Sequence, residues 1–354
     1  MLVYNVLQLC AEWGLYPRNL KRITKLMNTK NLSNENDIPI LRIGAVMPRF
    51  SSVLSLFDGM SCGQIALNRA GIEYDNYFAS EIDKHAIKVT QANYPKTIQL
   101  GDVREIKAEN LPKIDLLIGG SPCQGFSFSG KQLNFEDPRS KLFFEFVRLV
   151  KELKPKYWLL ENVVMKKEFE QIISEHLGVQ PIKINSSLVS AQNRERLYWA
   201  NFEIKQPTDK GINLIDILET DDLINPSAIR GRRLNKATIL GRRLNERGVR
   251  DDYNKDVPIT QCLEVRATNT NKSNCLTTVE KDNVLTTMPI GRHKDAFKNK
   301  LPFRYYTLKE YCRLQTVPEN YFNAVSESQA KKMLGNGWTV DVIAHIFGSL
   351  LNGA

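Results

Sequence analysis

The chain has few of the features that mark disulfide scaffolds, zinc sites and membrane proteins. Its six cysteines are scattered over 354 residues without paired spacing, which indicates neither a disulfide framework nor a metal site. We therefore expect a reducing compartment. No stretch of about 20 apolar residues occurs, so no membrane span is predicted. The first residues lack a basic leading segment and make a poor signal peptide.

Glycine-rich phosphate-binding motifs are also missing. Neither G-x-G-x-x-G nor G-x-x-x-x-G-K-[ST] occurs, which argues against a nucleotide polyphosphate ligand and against a nicotinamide-dependent oxidoreductase. Long biased tracts are absent too. The content of 42% hydrophobic and 25% charged residues is ordinary for a globular protein, so we expect the chain to fold.

Positive charge is in excess. The chain has 49 Lys and Arg against 39 Asp and Glu, a net charge of +10. This is the sign expected of a protein that approaches a polyanion such as nucleic acid. Taken alone, the excess fits a solvated basic surface equally well.

Short apolar runs alternate with helical periods from Ser52 onward. Strands are predicted at 52–57, 74–81, 114–120 and 156–163, and helices at 62–71, 83–94, 140–155 and 167–178. This alternation predicts an α/β fold with a doubly wound, mostly parallel sheet. Ligands of such sheets bind beyond the carboxyl ends of the strands.

The sequence divides into four stretches. Residues 1–46 form an N-terminal extension, in which a short amphipathic helix and a linker are expected. The alternating pattern fills 47–204 and predicts a first domain. Charged, Asn- and Thr-rich sequence replaces it over 205–301, which predicts a smaller inserted domain. Helical periodicity returns over 302–354, where Thr307 is placed to cap a helix, so we expect the chain to re-enter the first domain.

A five-residue repeat lies in the inserted stretch. The letters GRRLN occur at 231–235 and again at 241–245, an offset of ten (241 minus 231). This period is too short for the common solenoid repeats. It indicates hairpin-like elements of a second, smaller domain.

Two glycines and two acids lie at predicted strand ends. Gly59 and Gly63 follow the first strand, where a missing side chain lets a ligand approach the backbone, although a plain tight turn fits equally well. Glu81 ends the second strand and can accept hydrogen bonds from both ribose hydroxyls. Asp102 lies at a similar level and suits an adenine amino group. For each acid alone, a helix cap or a solvated loop carboxylate is the favoured interpretation. Together, the two acids favour an adenosine-bearing cofactor.

Cys123 follows a buried strand at this same edge, behind Pro122. A thiol at a strand end beside a cofactor cleft is placed as a nucleophile, although a buried unpaired cysteine is the commoner alternative. Glu161 lies near the end of the next strand, at the same edge, and pairs a carboxylic acid with the thiol. Arg194 and Arg196 stand two apart in an extended segment and project to one face, so Arg196 can meet a carboxylate while Arg194 reaches a substrate carbonyl. The outward face of an edge strand remains open as an alternative for the two arginines.

The order of these motifs resembles that of the DNA (cytosine-5) methyltransferases. The motifs are FDGMSCG, SEID, GDVRE, GGSPCQGFS, ENV, QNRERLYW and LGNGWTVDVIAHIF. The resemblance runs from about Ser52 to the C-terminus, apart from the variable inserted stretch. Several motifs are similar to the catalytic domains of animal de novo methyltransferases. The resemblance implies the class I S-adenosylmethionine-dependent methyltransferase fold, with a smaller inserted target-recognition domain.

The resemblance also implies roles for single residues. Cys123 becomes the nucleophile, Glu161 contacts N3 and the amino group of cytosine, and Arg194 and Arg196 support the base and the catalytic groups. S-adenosylmethionine is the implied cofactor, held by Phe57, Asp58, Gly59, Gly63, Glu81, Ile82, Asp102, Pro122 and Asn336. Two positions depart from many bacterial members: Gly337 stands in place of a serine, and Ile82 in place of an aromatic residue.

The implied reaction needs a cytosine extruded from double-stranded DNA, because its carbon 6 is out of reach inside the stack. The loop after Cys123 is placed to close over the flipped base, and Gln124 and Ser127 of this loop are expected to contact DNA. A basic segment of the inserted domain is expected to bind phosphates, through Arg230, Arg232, Arg233, Arg242 and Arg243.

Two other functions remain open from the sequence. A tRNA cytosine-5 methyltransferase of the same lineage shares the Cys and Glu chemistry, and a non-catalytic DNA-binding relative shares the fold. Intact Cys123 and Glu161 argue against the second, and the basic insert argues for duplex DNA. We expect a cytoplasmic, nucleoid-associated monomer of a bacterial or phage-infected cell. A cognate restriction endonuclease is a candidate partner.

Overall fold

The computed structural model describes residues 49–122, 141–219, 235–247, 249, 251, 253–266 and 271–351. All of them belong to one compact unit, Met47–Ala354. The predicted N-terminal extension lies outside the described residues. No helix in the described part of the chain is long and apolar enough to cross a membrane.

A seven-stranded sheet forms the centre of the unit. Its strands are β1 (Arg49–Leu56), β2 (Glu73–Ser80), β3 (Ile98–Gln99), β4 (Leu116–Gly120), β5 (Tyr157–Val163), β6 (Ile182–Asn185) and β7 (Glu195–Ala200). Their order is β3-β2-β1-β4-β5-β7-β6. All pairs are parallel except those of β7, which runs antiparallel to β5 and β6. The predicted α/β fold with a mostly parallel sheet is confirmed, although β3 and β6 were not predicted.

Seven helices accompany this sheet in the described residues. They are α1 (Cys62–Ala70), α2 (Lys84–Asn93), α3 (Lys141–Leu153), α4 (Lys167–Leu177), α5 (Leu308–Gln315), α6 (Glu327–Asn336) and α7 (Val340–Gly348). Local signals set their ends. Gly71 ends α1 with a left-handed φ of 73°. Asp83 caps α2 by accepting from the backbone N–H of His85, and Thr307 forms a capping box with Glu310 at the start of α5.

The central sheet buries one core on each face. Because side chains alternate along a strand, Val53 and Leu54 of β1 enter different cores. Val53 belongs to the core that includes α1, α2 and α7, whereas Leu54 belongs to the core that includes α3 and α4. Ile118 and Leu117 of β4 divide in the same way. Burial on both faces explains why these strands are continuous apolar runs in the sequence.

A second sheet is antiparallel throughout. It contains β8 (Asn235–Arg243), β9 (Ile259–Val265), β10 (Val284–Thr286), β11 (Gly291–His293) and β12 (Phe303–Tyr305), in the order β11-β9-β8-β10-β12. Its small core is formed by apolar side chains of β8, β9 and β10 together with Ala296. The second GRRLN copy begins within β8, which pairs with β9, while most of the first copy lies outside the described residues. β12 extends the sheet to Tyr305, beyond the predicted boundary at 301.

Candidate functional site

A cavity of about 370 Å³ lies at the carboxyl ends of the parallel strands. Its wall comes from the β1–α1 turn, the ends of β2, β4 and β5, the start of β7, and the turn between α6 and α7. Nine of the predicted site residues line it: Phe57, Asp58, Gly59, Glu81, Pro122, Glu161, Arg194, Arg196 and Asn336. The fold therefore brings together residues that are far apart in the sequence.

Left-handed backbone shapes the β1–α1 turn. Phe57, Gly59 and Ser61 have φ angles of 57°, 59° and 65°. A Cβ at Gly59 would meet nothing within 4 Å, so this glycine serves the backbone conformation and leaves open space above it. The Gly59 N–H donates to Oε2 of Glu81 at 2.7 Å, and Oε1 of Glu81 accepts from two further backbone amides. The turn thus fixes the Glu81 carboxylate at the cavity wall.

Asp58 is a buried acid with one unsatisfied oxygen. Oδ1 accepts from the Tyr77 hydroxyl at 2.8 Å, whereas Oδ2 is buried without a hydrogen-bond partner. Burial raises the pKa of Asp58 to about 6, against nearby hydroxyls that lower it, and the charge of Glu81 adds to the rise. An unsatisfied carboxylate oxygen in a cavity wall is suited to a cationic ligand.

Glu161 is held at both carboxylate oxygens. Nε of Arg196 donates to Oε1 at 3.0 Å, and the indole Nε1 of Trp338 donates to Oε2 at 3.0 Å. The Glu161 and Arg196 side chains keep only 11% and 15% of their area exposed, so this ion pair is largely desolvated. A carboxylate oxygen accepts more than one hydrogen bond, so Glu161 retains acceptor capacity toward the cavity.

Arg194 has structural partners. Its Nη1 donates to the carbonyl of Leu276 at 3.1 Å, and its Nη2 donates to the carbonyls of Gly335 and Gly337 at 3.2 and 2.8 Å. Burial, aided by the charge of Arg196, lowers the pKa of Arg194. Arg194 thus ties the turn after α6 to the 271–282 segment, and its predicted contact with a substrate carbonyl stays a prediction.

Three predicted cofactor residues do not line the cavity. A Cβ at Gly63 would lie 2.5 Å from Cδ1 of Ile118 and 2.6 Å from the Tyr77 hydroxyl, so Gly63 serves the packing of α1 on the sheet. Asp102 caps a 3-10 turn and pairs with Arg104, whose hydrogen bonds lower the pKa of Asp102. The Ile82 side chain is 73% exposed beside Glu81.

Other predicted residues lie outside the described part of the chain. These are Cys123, Gln124, Ser127, Arg230, Arg232 and Arg233. Pro122, the last described residue before Cys123, lines the cavity. A different thiol, Cys62, also lines it, but burial raises its pKa to about 12 and keeps it protonated at neutral pH.

A buried carboxylate gathers arginines on the second sheet. Glu264 of β9 accepts from Nε of Arg242 and Nε of Arg292 at 3.0 and 3.1 Å. It also accepts from Nη2 of Arg266 at 3.2 Å. Burial acts to raise the pKa of Glu264, but the arginine hydrogen bonds prevail and lower it. The other predicted DNA contact of this sheet, Arg243, donates from Nε to the carbonyl of Val257 at 2.9 Å.

Comparison with known proteins decides the family. Residues 51–352 match the family model described as C-5 cytosine-specific DNA methylase. The chain belongs to this methylase family. The predicted enzyme class, a DNA cytosine-5 methyltransferase, is thereby confirmed. Membership implies S-adenosylmethionine as methyl donor and DNA as substrate.

Relatives of this methylase extend over most of its length. It is 32% identical over 320 residues to the Type II methyltransferase M1.ScrFI of Lactococcus lactis subsp. cremoris, covering 84% of this chain and 77% of that protein. It is 29% identical over 321 residues to the Type II methyltransferase M.HaeII of Haemophilus aegyptius, covering 84% and 92%.

Solved structures share the fold of this methylase. The Entamoeba histolytica methyltransferase EhMeth matches with a TM-score of 0.62 at 17% identity, covering 85% of this chain and 98% of that one. The S. pombe Dnmt2 methyltransferase matches with a TM-score of 0.56 at 20% identity, with the same coverage. The predicted class I methyltransferase fold is confirmed.

Two residues of the methylase cavity region were missed by the sequence analysis. Trp338 stands in the quoted motif GNGWTV, where a large aromatic residue among glycines was a usable signal. Cys275 lies 3.2 Å from Nη1 of Arg194 and 3.9 Å from Nη2 of Arg196. Nothing in its local sequence marks it, because only the fold brings the 271–282 segment to β7.

Proposed function

We propose that the cavity holds S-adenosylmethionine at its Asp58 and Glu81 end and a flipped cytosine at its Glu161 end. The observation that carries this proposal is the joint lining of one cavity by the buried acid Asp58, the amide-bound acid Glu81 and the Arg196-paired acid Glu161. The first two suit an adenosine-bearing cation, and the third suits the edge of a base. One cavity can therefore bring methyl donor and acceptor together.

The residues at the first end fit the cofactor. Glu81 retains acceptor lone pairs for ribose hydroxyls, and the open space above Gly59 lets a ligand approach the backbone. The unsatisfied Oδ2 of Asp58 supplies negative charge toward the positive groups of the cofactor. When bound, S-adenosylmethionine supplies an electrophilic methyl group. Asn336 and Pro122 line the same cavity and are proposed to close it.

The chemistry at the other end rests on Cys123 and Glu161. The Cys123 thiolate adds to carbon 6 of cytosine, and the electron pair of the broken ring double bond makes carbon 5 a nucleophile. Glu161 bonds to N3 and the amino group, where it stabilises the charge that develops during the addition, and Arg196 holds its carboxylate. After carbon 5 has gained its substituent, it loses its hydrogen as a proton. The thiolate then leaves, which restores the ring double bond.

Duplex DNA is proposed to lie against the second sheet. Three arginines around one glutamate give the Glu264 cluster two net positive charges, and the Arg266 and Arg292 side chains stay 77% and 34% exposed. Such groups suit phosphate oxygens and guanine edges. Glu264 fixes the arginines in place before DNA arrives. Extrusion of the base costs a few kcal/mol, which contacts of this kind offset.

Expression in cells without cytosine methylation tests the function directly. Conversion sequencing should find 5-methylcytosine at one short DNA motif in cells that express the chain and none in cells with an empty vector. Purified protein should transfer labelled methyl groups from S-adenosylmethionine to duplex DNA and not to tRNA. Transfer to tRNA alone would overturn the proposed substrate, and cofactor binding without any transfer would favour a non-catalytic role.

The Asp58→Asn variant should be more stable than the wild type at pH 7.5 and should bind the cofactor less well. The pKa of Asp58 is about 6 in the folded protein and 3.8 in an unperturbed carboxyl group. Between pH 3.8 and pH 6 the folded protein therefore holds a proton that the unfolded chain has lost. Stability from this group therefore decreases as pH rises toward 6. The ionised form at pH 7.5 costs about 3 kcal/mol of stability. Urea unfolding at pH 5.0 and 7.5 measures the difference.

Cofactor affinity provides the matching measurement. If the ionised Asp58 faces the cofactor cation, wild-type affinity should fall by up to about tenfold per pH unit below 6. Titration calorimetry should show this dependence for the wild type and a weak, flatter affinity for Asp58→Asn. Asp341→Asn is the control, because it removes a partly buried acid outside the cavity that pairs with Arg69 and Lys210 and should lower stability without changing affinity. Equal pH dependence in Asp58→Asn and the wild type would contradict the prediction.

Removal of the exposed cluster arginines should weaken DNA binding. We expect the double variant Arg266→Ala, Arg292→Ala to bind DNA about tenfold less well. The slope of log affinity against log salt should shrink by roughly 0.9 for each lost phosphate contact. Fluorescence anisotropy over a salt series measures both quantities. Arg49→Ala is the control, because Arg49 begins β1, at the strand end away from the cavity, and should change neither. Unchanged affinity in the double variant would exclude this sheet as the DNA contact.

We infer the division of labour along the chain from the two sheets. Residues 47–204 and 302–354 act as the catalytic and cofactor-binding domain, and 205–301 acts as the target-recognition domain, with 1–46 as an extension. A cavity wall drawn from one chain supports action as a monomer. The bacterial Type II relatives support cytoplasmic, nucleoid-associated action in a bacterial or phage-infected cell, beside a cognate restriction endonuclease.

A further inference from the structure

The indole of Trp338 supplies the second hydrogen bond to Glu161. Nε1 donates to Oε2 at 3.0 Å, while Nε of Arg196 donates to Oε1 at the same distance. The two donors come from distant parts of the chain and meet at opposite oxygens of one carboxylate. With both oxygens bound, rotation about the last side-chain bond of Glu161 is restricted.

Gly120 makes room for this contact. Gly120 and Glu161 are Cα partners on the adjacent strands β4 and β5. A Cβ at Gly120 would lie 2.9 Å from Nε1 of Trp338 and 3.0 Å from Oε2 of Glu161. Since real Cβ atoms rarely approach so closely, any other residue would push the indole and the carboxylate apart.

The backbone around Trp338 is fixed on both sides. Nη2 of Arg194 donates to the Gly337 carbonyl at 2.8 Å. The Thr339 hydroxyl donates to Oε1 of the buried Gln315 at 2.8 Å. Trp338 itself is half-buried and lines the cavity. The indole is therefore presented by an anchored turn, and its position relative to Glu161 is set by the fold.

We propose that Trp338 is a positioning residue for methyl transfer, because its indole N–H fixes the Glu161 carboxylate in the plane where the remaining lone pairs meet the cytosine edge. The proposal rests on the proposed contact between Glu161 and cytosine. Within the described ranges, the charged and titratable groups that interact with Glu161 are Arg194, Arg196 and Tyr198. An indole N–H adds orientation to this set without adding charge.

The Trp338→Phe variant tests the role, since it keeps an aromatic ring and removes only the N–H and part of the ring area. A lost hydrogen bond to a charged group should lower kcat about tenfold, with the KM for DNA and the calorimetric Kd for S-adenosylmethionine within about twofold of the wild type. Gly120→Ala should lower kcat by a similar factor through displacement of the same contact. Labelled methyl transfer to duplex DNA measures kcat and KM for the purified full chain.

Trp199→Phe is the matched control. Trp199 donates from its indole to the Ser174 hydroxyl at 2.9 Å, so the variant loses the same kind of bond at a neutral acceptor. Its kcat should match that of the wild type.

A double-mutant cycle shows whether Trp338 acts through Glu161. In a Glu161→Gln background, Trp338→Phe should lower the transfer rate by less than about twofold. An equal loss in both backgrounds, or an unchanged kcat in Trp338→Phe, would overturn the positioning role alone. A fully active Glu161→Gln variant would instead overturn the assignment of Glu161 on which the role rests.

Discussion

The Cys123→Ala variant should lose methyl transfer by about 10⁴-fold or more, the largest effect expected for any single side chain of this enzyme. Carbon 5 of cytosine is a poor nucleophile until a thiolate adds at carbon 6, and alanine cannot make this addition. Cofactor binding should not change, because the proposed cofactor contacts lie at the Asp58 and Glu81 end of the cavity. Single-turnover transfer of labelled methyl groups to duplex DNA measures the loss.

Cys312→Ala is the control for this prediction. Cys312 is fully buried in the core, and burial raises its pKa to about 12, so it is an inert thiol at neutral pH. Its replacement should cost stability through a small cavity and leave the rate of transfer unchanged. Activity of Cys123→Ala within about tenfold of the wild type would refute covalent catalysis by this residue.

The Glu161→Gln variant should lower kcat by about 10² to 10⁴-fold, with small changes in KM. Glutamine keeps the size of the side chain, but Arg196 and Trp338 donate to opposite oxygens of Glu161 and the amide offers only one oxygen, so only one of the two donors keeps its acceptor. It loses the negative charge that stabilises the developing charge at cytosine N3 and cannot hold a proton there. Steady-state kinetics with unmethylated duplex DNA that contains the recognised motif separates kcat from KM.

The Glu161→Gln variant will also be less stable, because Arg196 keeps its charge in a largely buried site and loses the carboxylate that pairs with it. Glu310→Gln controls for this effect, because Glu310 is fully buried and pairs with Arg304 at 2.7 Å outside the cavity. We expect Glu310→Gln to lower the thermal midpoint and to leave kcat unchanged below it. A comparable loss of kcat in Glu310→Gln would mean that the Glu161 effect is one of folding.

The sequence predicted the parts of the fold that depend on local pattern. β1, β4 and β5 are continuous apolar runs because they are buried on both faces, and the capping box at Thr307 is a local signal. Glu161 was found because it lies near the carboxyl end of a recognisable strand. Its pairing with Arg196 matches the expectation that this arginine meets a carboxylate.

Long-range contacts account for what the sequence analysis missed. The partners of Arg194 are backbone carbonyls more than 80 residues away, which no local pattern encodes. Asp102 is a local case, because its carboxylate pairs with Arg104 only two residues along the chain, and its place outside the cavity depends on the fold. The role of Trp338 depends on the space left by Gly120. Gly120 ends a strand and Trp338 lies in a distant turn, and only the folded chain brings them together.

The position of Trp338 late in the chain determines when the cavity is completed during synthesis of the protein. Glu161 and Trp338 are 177 residues apart (338 minus 161). At a usual rate of about 5–20 residues per second, a ribosome makes the strands around Glu161 roughly 10–35 s before it makes the indole donor. Asp341, at the start of α7, pairs with Arg69 at the end of α1, so the last of the described helices also contacts the first of them. A half-made copy attached to its ribosome therefore lacks one wall of its cavity and the indole that binds Glu161.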